Sequence, residues 1–390
     1  MTDAVIVAGA RTPIGRARKG SLVDVDAFQL AEVAVGAAVE RSGLAASAID
    51  DVVLGESLQG GGVIARNIAV RLGLTPVPGL ADNRHCAAGL SAVQIAAGTI
   101  RAGMDHVVVA GGTESLSTSP QTSKPAERGG PPVPWMAASH PETPDAPAWD
   151  MSITVGENTA REMGLTRHDV DAWALYSTEN ALRSIDEGAF DAEIVPVTVV
   201  DPDGTERQFS VDEHPRRGSS METLAALPVL HPEIEGATVT AGNAAGLNDG
   251  AAAMVVTSSE FARAHGLTPM ARIVAWASSG IEPARTGLGP TLAIPKALDR
   301  IGMAIGDVEL WEVNEAFCSV PVATSRKLGI PQEIMNVNGS GASLGHPIAC
   351  TGARMVVTMV NELRRRDRTI GCVSMCAGGG MGSALVLEVV

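Results

Sequence analysis

The residues best suited to acid–base chemistry stand in a glycine-rich loop near the carboxyl end, residues 336–352. This loop contains four glycines and two asparagines around a single His346-Pro347 step. Glycine permits positive φ and close backbone approach, so such a loop can bend tightly around a ligand. Pro347 fixes its own φ and disfavours the α conformation at His346, which restricts the direction of the imidazole. We interpret His346 as a base that faces a fixed partner; the alternative is a glycine-rich turn with an incidental histidine.

A candidate nucleophile, Cys86, stands at the start of an alanine-rich segment, residues 86–102, that is apolar on nearly all sides. This pattern predicts a buried helix. Backbone N–H groups and the positive end of the helix dipole favour a thiolate at such an N-terminus. The competing interpretation is packing, which is the usual role of a buried free cysteine. The position at a helix start favours the nucleophile.

Two further polar groups follow predicted strands. Cys376 is followed by four glycines within six residues, and two backbone N–H groups exposed there are suited to hold an oxyanion. Asn314 follows a strand predicted at 308–313, where its amide can hold a water or a carbonyl oxygen. The ordinary alternative for Cys376 is a glycine turn beside a core cysteine, and the ordinary alternative for Asn314 is a loop cap. Together with the histidine and the first cysteine, they form a set placed at the ends of elements.

The elements that must position this set alternate between short apolar runs and helical patterns, which predicts an α/β protein. The first strands and helices are predicted at 4–10, 26–42, 51–54, 63–73, 86–102 and 106–112. Later in the chain, 307–310 resembles 51–54, and 372–379 resembles 107–112. This weak repeat predicts two similar halves packed face to face, with the active site where they meet. The alternative is chance similarity between glycine-rich strand ends.

A segment of different composition interrupts this alternation. Residues 119–150 contain eight prolines, which exclude regular structure over most of the span, and a long ordered loop is usually functional. Beyond it, Thr166 and Asp169 form a capping-box pattern before a helix, and 193–211 is typical of a hairpin. We expect residues 118–248 to form an inserted domain over the α/β core.

Composition and charge limit the classes of function. The 390 residues carry a formal net charge of −15, so no general nucleic-acid or anionic-membrane surface is implied. No apolar run approaches ~18 residues, so no transmembrane helix is expected. The five cysteines form no metal-like spacing, and their odd number without an export signal predicts free thiols in a cytoplasmic protein.

Four motifs, in this order and spacing, resemble those of the thiolases: Asn83-Arg-His-Cys86-Ala-Ala-Gly89, Asn314-Glu-Ala-Phe317, Gly345-His-Pro347 and Cys376-Ala-Gly-Gly-Gly380. Segments 10–15 and 241–253 also look like thiolase segments, so the resemblance covers essentially the whole chain. It implies the thiolase fold: two duplicated βαβαβαββ halves in five α-β-α-β-α layers, with an inserted loop domain. It also implies a homodimer or homotetramer.

The resemblance places the domains along the chain. The N-terminal half is expected at residues 1–117 plus 249–269, the inserted CoA-binding domain at 118–248, and the C-terminal half at 270–390. CoA and acyl-CoA enter the implied reaction as substrates, without a tightly bound cofactor or a metal. The residues expected to contact CoA are Arg216, Thr223 and Ala245.

The resemblance also implies roles for the catalytic positions. Cys86 takes the acyl group as a thioester, His346 activates it, and Cys376 is the acid or base at the Cα of acetyl-CoA. Asn314, through a water, and His346 form one oxyanion hole. The backbone N–H groups of Cys86 and Gly378 form the other.

Several positions depart from the usual thiolase pattern, among them Leu227-Pro-Val229, which lacks the basic residue that often follows this leucine. Ala245 stands where many thiolases have a serine that contacts the pantetheine amide. Thr286 stands where short-chain biosynthetic enzymes commonly have methionine, and Ala349 replaces a glycine. The changes at 286 and 349 leave the length and branching of the acyl chain open.

The predicted activity is CoA-dependent thiolysis of 3-oxoacyl-CoA, or the reverse Claisen condensation, in fatty acid metabolism such as β-oxidation. The condensation develops an enolate on one thioester and a tetrahedral oxyanion on another, so it needs two separate oxyanion sites. One alternative is a decarboxylating ketoacyl synthase, which uses a His/His or His/Asn arrangement without the Cys376 motif. The other is a non-catalytic CoA-binding paralogue, against which the four intact catalytic positions argue.

Overall fold

The computed structural model describes residues 2–59 and 61–390. Within them the chain forms fourteen strands and ten α-helices. The strands are β1 (Ala4–Arg11), β2 (Gly15–Arg16), β3 (Asp51–Gly55), β4 (Gly79–Asp82), β5 (Val107–Ser115), β6 (Ser123–Pro125), β7 (Pro132–Pro134), β8 (Val197–Val200), β9 (Glu206–Phe209), β10 (Asn248–Ser258), β11 (Ala271–Gly280), β12 (Leu310–Val313), β13 (Ile370–Ala377) and β14 (Met381–Val389). The helices are α1 (Ala27–Ser42), α2 (Ile64–Arg71), α3 (Ala88–Arg101), α4 (Asn158–Glu162), α5 (Arg167–Asp186), α6 (Met221–Ala225), α7 (Ser259–Ala264), α8 (Pro290–Asp299), α9 (Ser319–Leu328) and α10 (Ile348–Arg365).

The main sheet shows the predicted repeat. In the first half, β4, β3 and β5 are parallel neighbours, and β10 and β1 extend the sheet antiparallel. In the second half, β12 and β13 are parallel, and β14 and β11 follow antiparallel. Met335 forms a parallel bridge with Trp311 of β12, at the place that β4 takes beside β3. The two halves therefore share one strand order.

The two half-sheets meet at one edge. β1 pairs with β11 at Val5–Arg272 and Ile6–Ala271, so the strands run in the continuous order β12-β13-β14-β11-β1-β10-β5-β3-β4, with β2 beside β10. The halves are thus packed against each other and are also joined through backbone hydrogen bonds.

Hydrophobic side chains divide the core into layers. One cluster joins α1 and α2 to the first half-sheet, and another joins α8 and α9 to the second half-sheet. A third cluster lies between the half-sheets and contains the apolar faces of α3 and α10. Because α3 is rich in alanine and buried on most sides, it packs close to its neighbours in this middle layer. The order α-β-α-β-α is the expected one.

The segment between β5 and β10 holds β6–β9 and α4–α6. Its predicted capping box is confirmed, since Asp169 N–H donates to Thr166 Oγ1 at 3.2 Å and Thr166 N–H to Asp169 Oδ2 at 2.7 Å. The predicted hairpin is confirmed by the antiparallel pair β8–β9. Residues 119–150 contain only the short strands β6 and β7. The domain boundaries given above stay predictions.

Buried ion pairs fasten this segment to the core. Arg11, at the end of β1, donates from Nε to Glu193 at 2.6 Å and from a terminal nitrogen to Asp212 at 2.8 Å, with all three side chains buried. Losing one partner would leave an uncompensated buried charge, at a cost of about 3–5 kcal/mol.

Among the helices of residues 2–59 and 61–390, none combines the length and apolarity needed to cross a membrane.

Candidate active site

Cys86 lies in a tight turn that leads into α3. Ala87 N–H donates to the Arg84 carbonyl at 3.0 Å, and Ala88 N–H donates to the His85 carbonyl at 3.0 Å. His85 has a φ of 47°, in the left-handed region, which turns the chain sharply before the cysteine. The helix itself begins at Ala88, so Cys86 lies just ahead of it and is partly exposed.

The protonation of Cys86 differs from the sequence-based expectation. Burial raises the pKa of the Cys86 thiol to about 11, although the N–H groups of Gly378 and of Cys86 itself donate to the sulphur and lower it. The nearby Glu114 carboxylate raises this pKa further. The expectation that a helix N-terminus favours the thiolate is wrong for the resting protein. Cys86 is a thiol near neutral pH and needs a base.

Cys376 lies near the end of β13 and is 2% exposed. Gly379 and Gly380, with φ of 87° and 82°, then turn the chain into β14, a conformation that favours glycine. Burial raises the pKa of the Cys376 thiol far above its usual value, and charge on Cys86 raises it further. The two sulphur atoms therefore lie close enough to interact, and the same turn presents the Gly378 N–H to Cys86.

His346 is held through both its backbone and its ring, and it is 7% exposed. Its backbone N–H donates to Asn248 Oδ1 at 3.0 Å, and its ring Nδ1 lies 2.7 Å from Thr351 Oγ1. Burial lowers the pKa of the imidazole to about 4, and the positive charge of Arg354 contributes to the shift. His346 is therefore neutral at physiological pH and can accept a proton.

Asn314 directly follows β12 and is fully buried. Its backbone N–H donates to the Ser374 carbonyl at 2.9 Å. Its side-chain Nδ2 lies 3.5 Å from His346 Nε2, and its Oδ1 has no hydrogen-bond partner within the described chain. The amide nitrogen and the imidazole Nε2 are therefore adjacent polar groups, of the kind that can bind a water or a substrate oxygen.

The first turns of α3 and α10 cross in close contact because each carries a glycine at the crossing. A Cβ on Gly89 would lie 3.1 Å from Ala353 N, and a Cβ on Gly352 would lie 2.5 Å from Leu90 N. The turn before α3 carries the candidate nucleophile, and the loop before α10 carries the histidine. The crossing therefore brings together the two segments that carry these candidate catalytic residues, one from each half.

A cavity of about 220 Å³ lies between the inserted segment and the glycine-rich loop. Arg216 and Thr223 line it from the first side, and Ser343 lines it from the second. Two of the predicted CoA contacts are thus brought together beside the loop that carries the histidine. The described lining of this cavity does not include Ala245, whose backbone N–H instead donates to the Ala316 carbonyl at 3.0 Å.

Within the described residues, no group of three or more His, Cys, Asp or Glu side chains is arranged to hold a metal.

Three residues that position this site were not identified from the sequence. Glu114 is fully buried and accepts the Ala349 N–H at 3.1 Å, at the start of α10. Asn248 contacts His346 across 98 positions of the chain, a separation that leaves no local pattern. Thr351 lies five positions after His346, and this short spacing within the glycine-rich loop is the signal that would have identified it.

Known proteins resemble this chain over its full length. Family models described as "Thiolase, N-terminal domain" and "Thiolase, C-terminal domain" match residues 4–260 and 267–389. The chain is 41% identical to acetyl-CoA acetyltransferase of Escherichia coli (strain K12), with 100% of this chain and 99% of that protein covered. It is 39% identical to 3-ketoacyl-CoA thiolase of Bacillus subtilis (strain 168), with 100% of both covered. The crystal structure of the Bacillus anthracis acetyl-CoA acetyltransferase superposes with a TM-score of 0.90 at 38% identity, covering 100% of this chain and 99% of that one. The predicted fold is confirmed by this match.

Proposed function

We propose a reaction for this chain, which belongs to the thiolase family: it cleaves 3-oxoacyl-CoA with CoA to acetyl-CoA and a shortened acyl-CoA, and it catalyses the reverse condensation. The observation that carries the proposal is the approach of two thiols. The sulphur of Cys86 accepts a hydrogen bond from the Gly378 N–H. Cys86 also lies close enough to Cys376 for its charge to raise the pKa of the Cys376 thiol. Two thiols, together with a neutral imidazole at His346, suit a reaction that needs a nucleophile and a separate acid or base.

The first half of the proposed reaction forms an acyl-enzyme. His346 Nε2 accepts the proton of Cys86, and the thiolate attacks the 3-oxo carbon of the substrate. The N–H groups of Cys86 and Gly378 hold the resulting oxyanion. The C2–C3 bond then breaks, its electron pair stays on the acetyl-CoA part as an enolate, and the cysteine keeps the acyl group as a thioester.

The enolate needs its own oxyanion site and a proton. Asn314, through a water, and the protonated His346 donate to the thioester oxygen, and Cys376 gives its proton to C2. CoA then passes its thiol proton to the Cys376 thiolate and attacks the acyl group. Cys86 leaves as a thiolate and recovers its proton from His346. A neutral Cys376 thiol in the resting state fits its first task as an acid.

CoA binding is proposed at the cavity lined by Arg216 and Thr223, with Ala245 nearby on the pantetheine path. Arg217 already forms an ion pair with Asp186 at 3.0 Å, whereas Arg216 forms none with a carboxylate among the described residues. Arg216 is therefore the better candidate for a phosphate of CoA in this acidic protein. Ala245 has no hydroxyl, so it offers the pantetheine amide no side-chain hydrogen bond.

Neither alternative fits as well. A decarboxylating ketoacyl synthase has no use for a cysteine at the position of Cys376, beside the nucleophile. A non-catalytic CoA-binding paralogue has no need of a buried neutral His346 next to the Asn314 amide. The comparisons likewise favour the thiolase assignment.

Assembly, location and pathway are also proposals. A homodimer or homotetramer is supported by β4, which ends the sheet order and exposes 45% of Leu80, because an edge strand is a template for pairing with a second copy. Light scattering during size-exclusion chromatography tests the assembly. The cytoplasmic location rests on the five free cysteines, and a role in β-oxidation rests on the thiolysis reaction.

The experiment that tests the function uses a panel of 3-oxoacyl-CoA substrates of increasing chain length with CoA. The expected result is acetyl-CoA and the shortened acyl-CoA, together with an acyl adduct on Cys86 seen in the intact mass. A protein that binds CoA but never forms the adduct would instead support the non-catalytic alternative. Release of carbon dioxide from a malonyl thioester would support the synthase.

A further inference from the structure

Thr351 lies in the first turn of α10, fully buried, and its hydroxyl has two neighbours. Oγ1 donates to the Pro347 carbonyl at 3.0 Å, the bond that a helical threonine makes to the residue four positions earlier. The same oxygen lies 2.7 Å from His346 Nδ1. The reaction described above assigns this hydroxyl no task.

The number of protons decides the direction of the second bond. A carbonyl oxygen only accepts, so the proton between Pro347 and Thr351 belongs to Thr351, which has a single proton to give. Thr351 must then accept from the Nδ1–H of His346, which leaves a lone pair on Nε2. The opposite arrangement would set the lone pairs of two oxygen atoms against each other at 3.0 Å, a repulsive contact, even though the Pro347 carbonyl also accepts the backbone N–H groups of Cys350 and Thr351.

The neighbour on the other side of the ring specifies the same tautomer. Asn314 Nδ2 lies 3.5 Å from His346 Nε2. An amide nitrogen donates and cannot accept, so it faces a lone pair on Nε2 and not a proton. This longer contact fits the tautomer that the Thr351 bond specifies.

We propose that Thr351 is a positioning residue that holds His346 as the Nδ1–H tautomer, so that Nε2 is free to take the proton of Cys86. The inference rests on the proposed function, in which His346 is the base for acylation. When Nε2 gains that proton, the Nδ1–H bond to Thr351 persists and stabilises the imidazolium. No covalent bond changes at Thr351 itself.

Three variants test the proposal. Thr351→Val keeps the shape and removes the hydroxyl, and Thr351→Ser keeps the hydroxyl and removes a methyl group. The matched control is Thr324→Val in α9, because Thr324 is also fully buried and donates to the carbonyl four residues earlier, at 2.9 Å. Rapid-quench intact mass measures acylation of Cys86 by acetyl-CoA, and steady-state thiolysis gives kcat and KM.

We expect Thr351→Val to lower the acylation rate and kcat by about 10-fold to 100-fold, since it weakens a general base without removing it. KM should stay within about twofold, because the hydroxyl does not face the CoA cavity. Thr351→Ser should recover the rate to within about threefold, and Thr324→Val should match the wild type. This split between kcat and KM, with rescue by serine, is not expected from a packing role.

Each other outcome has a definite meaning. Wild-type acylation in Thr351→Val overturns the inference, and so does a serine variant as slow as the valine variant, because then the methyl group is responsible. If thermal unfolding shows that the valine variant is not folded, the comparison of Thr351→Ala with Thr351→Ser decides in the same way. A wild-type protein that never acylates contradicts the proposed function instead. In that case ¹⁵N NMR of histidine-labelled protein still reads the tautomer of His346, and a proton on Nε2 overturns the inference.

Discussion

The two halves of the molecule share one scaffold but differ in the residues at the active edge of the sheet. β3 and β12 each follow a short 3-10 turn. Gly111 of β5 pairs with a residue of β3, and Ser374 of β13 pairs with a residue of β12, at the same number of residues after that turn. Gly111 and Ser374 therefore occupy equivalent positions in the two halves. Two residues further along, Thr113 corresponds to Cys376. The Thr113 hydroxyl donates to the Ala27 carbonyl at 2.9 Å, a structural contact, whereas Cys376 lies beside the candidate nucleophile.

The comparison shows how duplication can separate tasks. In the proposed mechanism the first half supplies Cys86 alone, and the second half supplies Asn314, His346, Cys376 and the Gly378 N–H. The shared fold brings the two sets together at the α3–α10 crossing. Loss of Cys86 should therefore stop acylation and everything that follows it, whereas loss of Cys376 or Asn314 from the second half should remove single steps.

The largest effect is expected for Cys86→Ser. A serine hydroxyl is a much weaker nucleophile next to a base of such low pKa, so thiolysis should fall by roughly 10⁴-fold to 10⁶-fold. Intact mass should show no acyl adduct, while circular dichroism should be unchanged. Acylation of another cysteine in this variant would show that the first half is not the source of the nucleophile.

Cys376→Ser should separate the two halves of the reaction. The serine keeps the shape, but its hydroxyl is a poor acid or base at neutral pH, so thiolysis and exchange of acetyl-CoA methyl protons with deuterated water should fall about 10²-fold to 10⁴-fold. Acylation of Cys86 by acetyl-CoA should persist. The matched control is Cys372→Ser, a buried cysteine on the same face of β13. Undiminished exchange would assign the deprotonation to another base, most simply His346.

Asn314→Ala tests one oxyanion site without touching either thiol. Loss of a single donor to a developing oxyanion typically costs about 10²-fold in kcat. We expect that loss in thiolysis and in methyl-proton exchange, with smaller change in acylation, because acylation uses the N–H groups of Cys86 and Gly378. Asn361→Ala, on α10 but away from the site, is the control. An equal loss in acylation would mean that the two oxyanion sites are not separate.

The contrast between the two thiols predicts a pH dependence. Below its pKa of about 11, the thiolate fraction of Cys86 rises with pH, so alkylation by brief, limiting iodoacetamide should accelerate about tenfold per pH unit between 7 and 10. Cys86 should be labelled first and be protected by acetyl-CoA, since burial raises the pKa of Cys350 to about 12 and that of Cys376 still more. A rate that levels off near pH 8 would show that the resting cysteine is already a thiolate.

Much of this arrangement was predictable because the motifs are local. The strand end at Cys376 and the His346-Pro347 step each combine glycine with a reactive side chain in one short stretch, and Asn314 directly follows a predicted strand. The alignment of the halves was less accurate. Residues 51–54 were matched to 307–310, but β12 runs from Leu310 to Val313, because Asp307 caps the 3-10 turn before the strand through the Ala304 N–H at 2.7 Å. A match of four residues is too short to fix such a register.

Properties that depend on burial and distant contacts were not predictable. The helix N-terminus suggested a thiolate at Cys86, but desolvation outweighs the two donated N–H groups, and the surroundings of the sulphur are known only after folding. The bond between Asn248 and His346 joins the two halves across a large part of the chain. Neither effect leaves a signature in the residues next to Cys86 or His346 in the sequence.

The smallest effect is expected in the proline-rich residues 119–150, which have no counterpart in the second half. Trp135 and Trp149 are 43% and 50% exposed and line an open groove of about 480 Å³, and Lys124 lies 5.0 Å from the Trp135 ring centroid. Because the groove is open, Trp135→Ala should change the ratio of kcat/KM between long and short 3-oxoacyl-CoA substrates by about threefold to tenfold, less than a closed pocket achieves. The rate of Cys86 acylation by acetyl-CoA should stay the same, since the loop contributes no group to that step. Leu292→Ala, which truncates a side chain of similar exposure on α8, is the control. If Trp135→Ala abolishes acylation by every substrate while the fold survives, the loop takes part in the chemistry and the division of tasks between the two halves is incomplete.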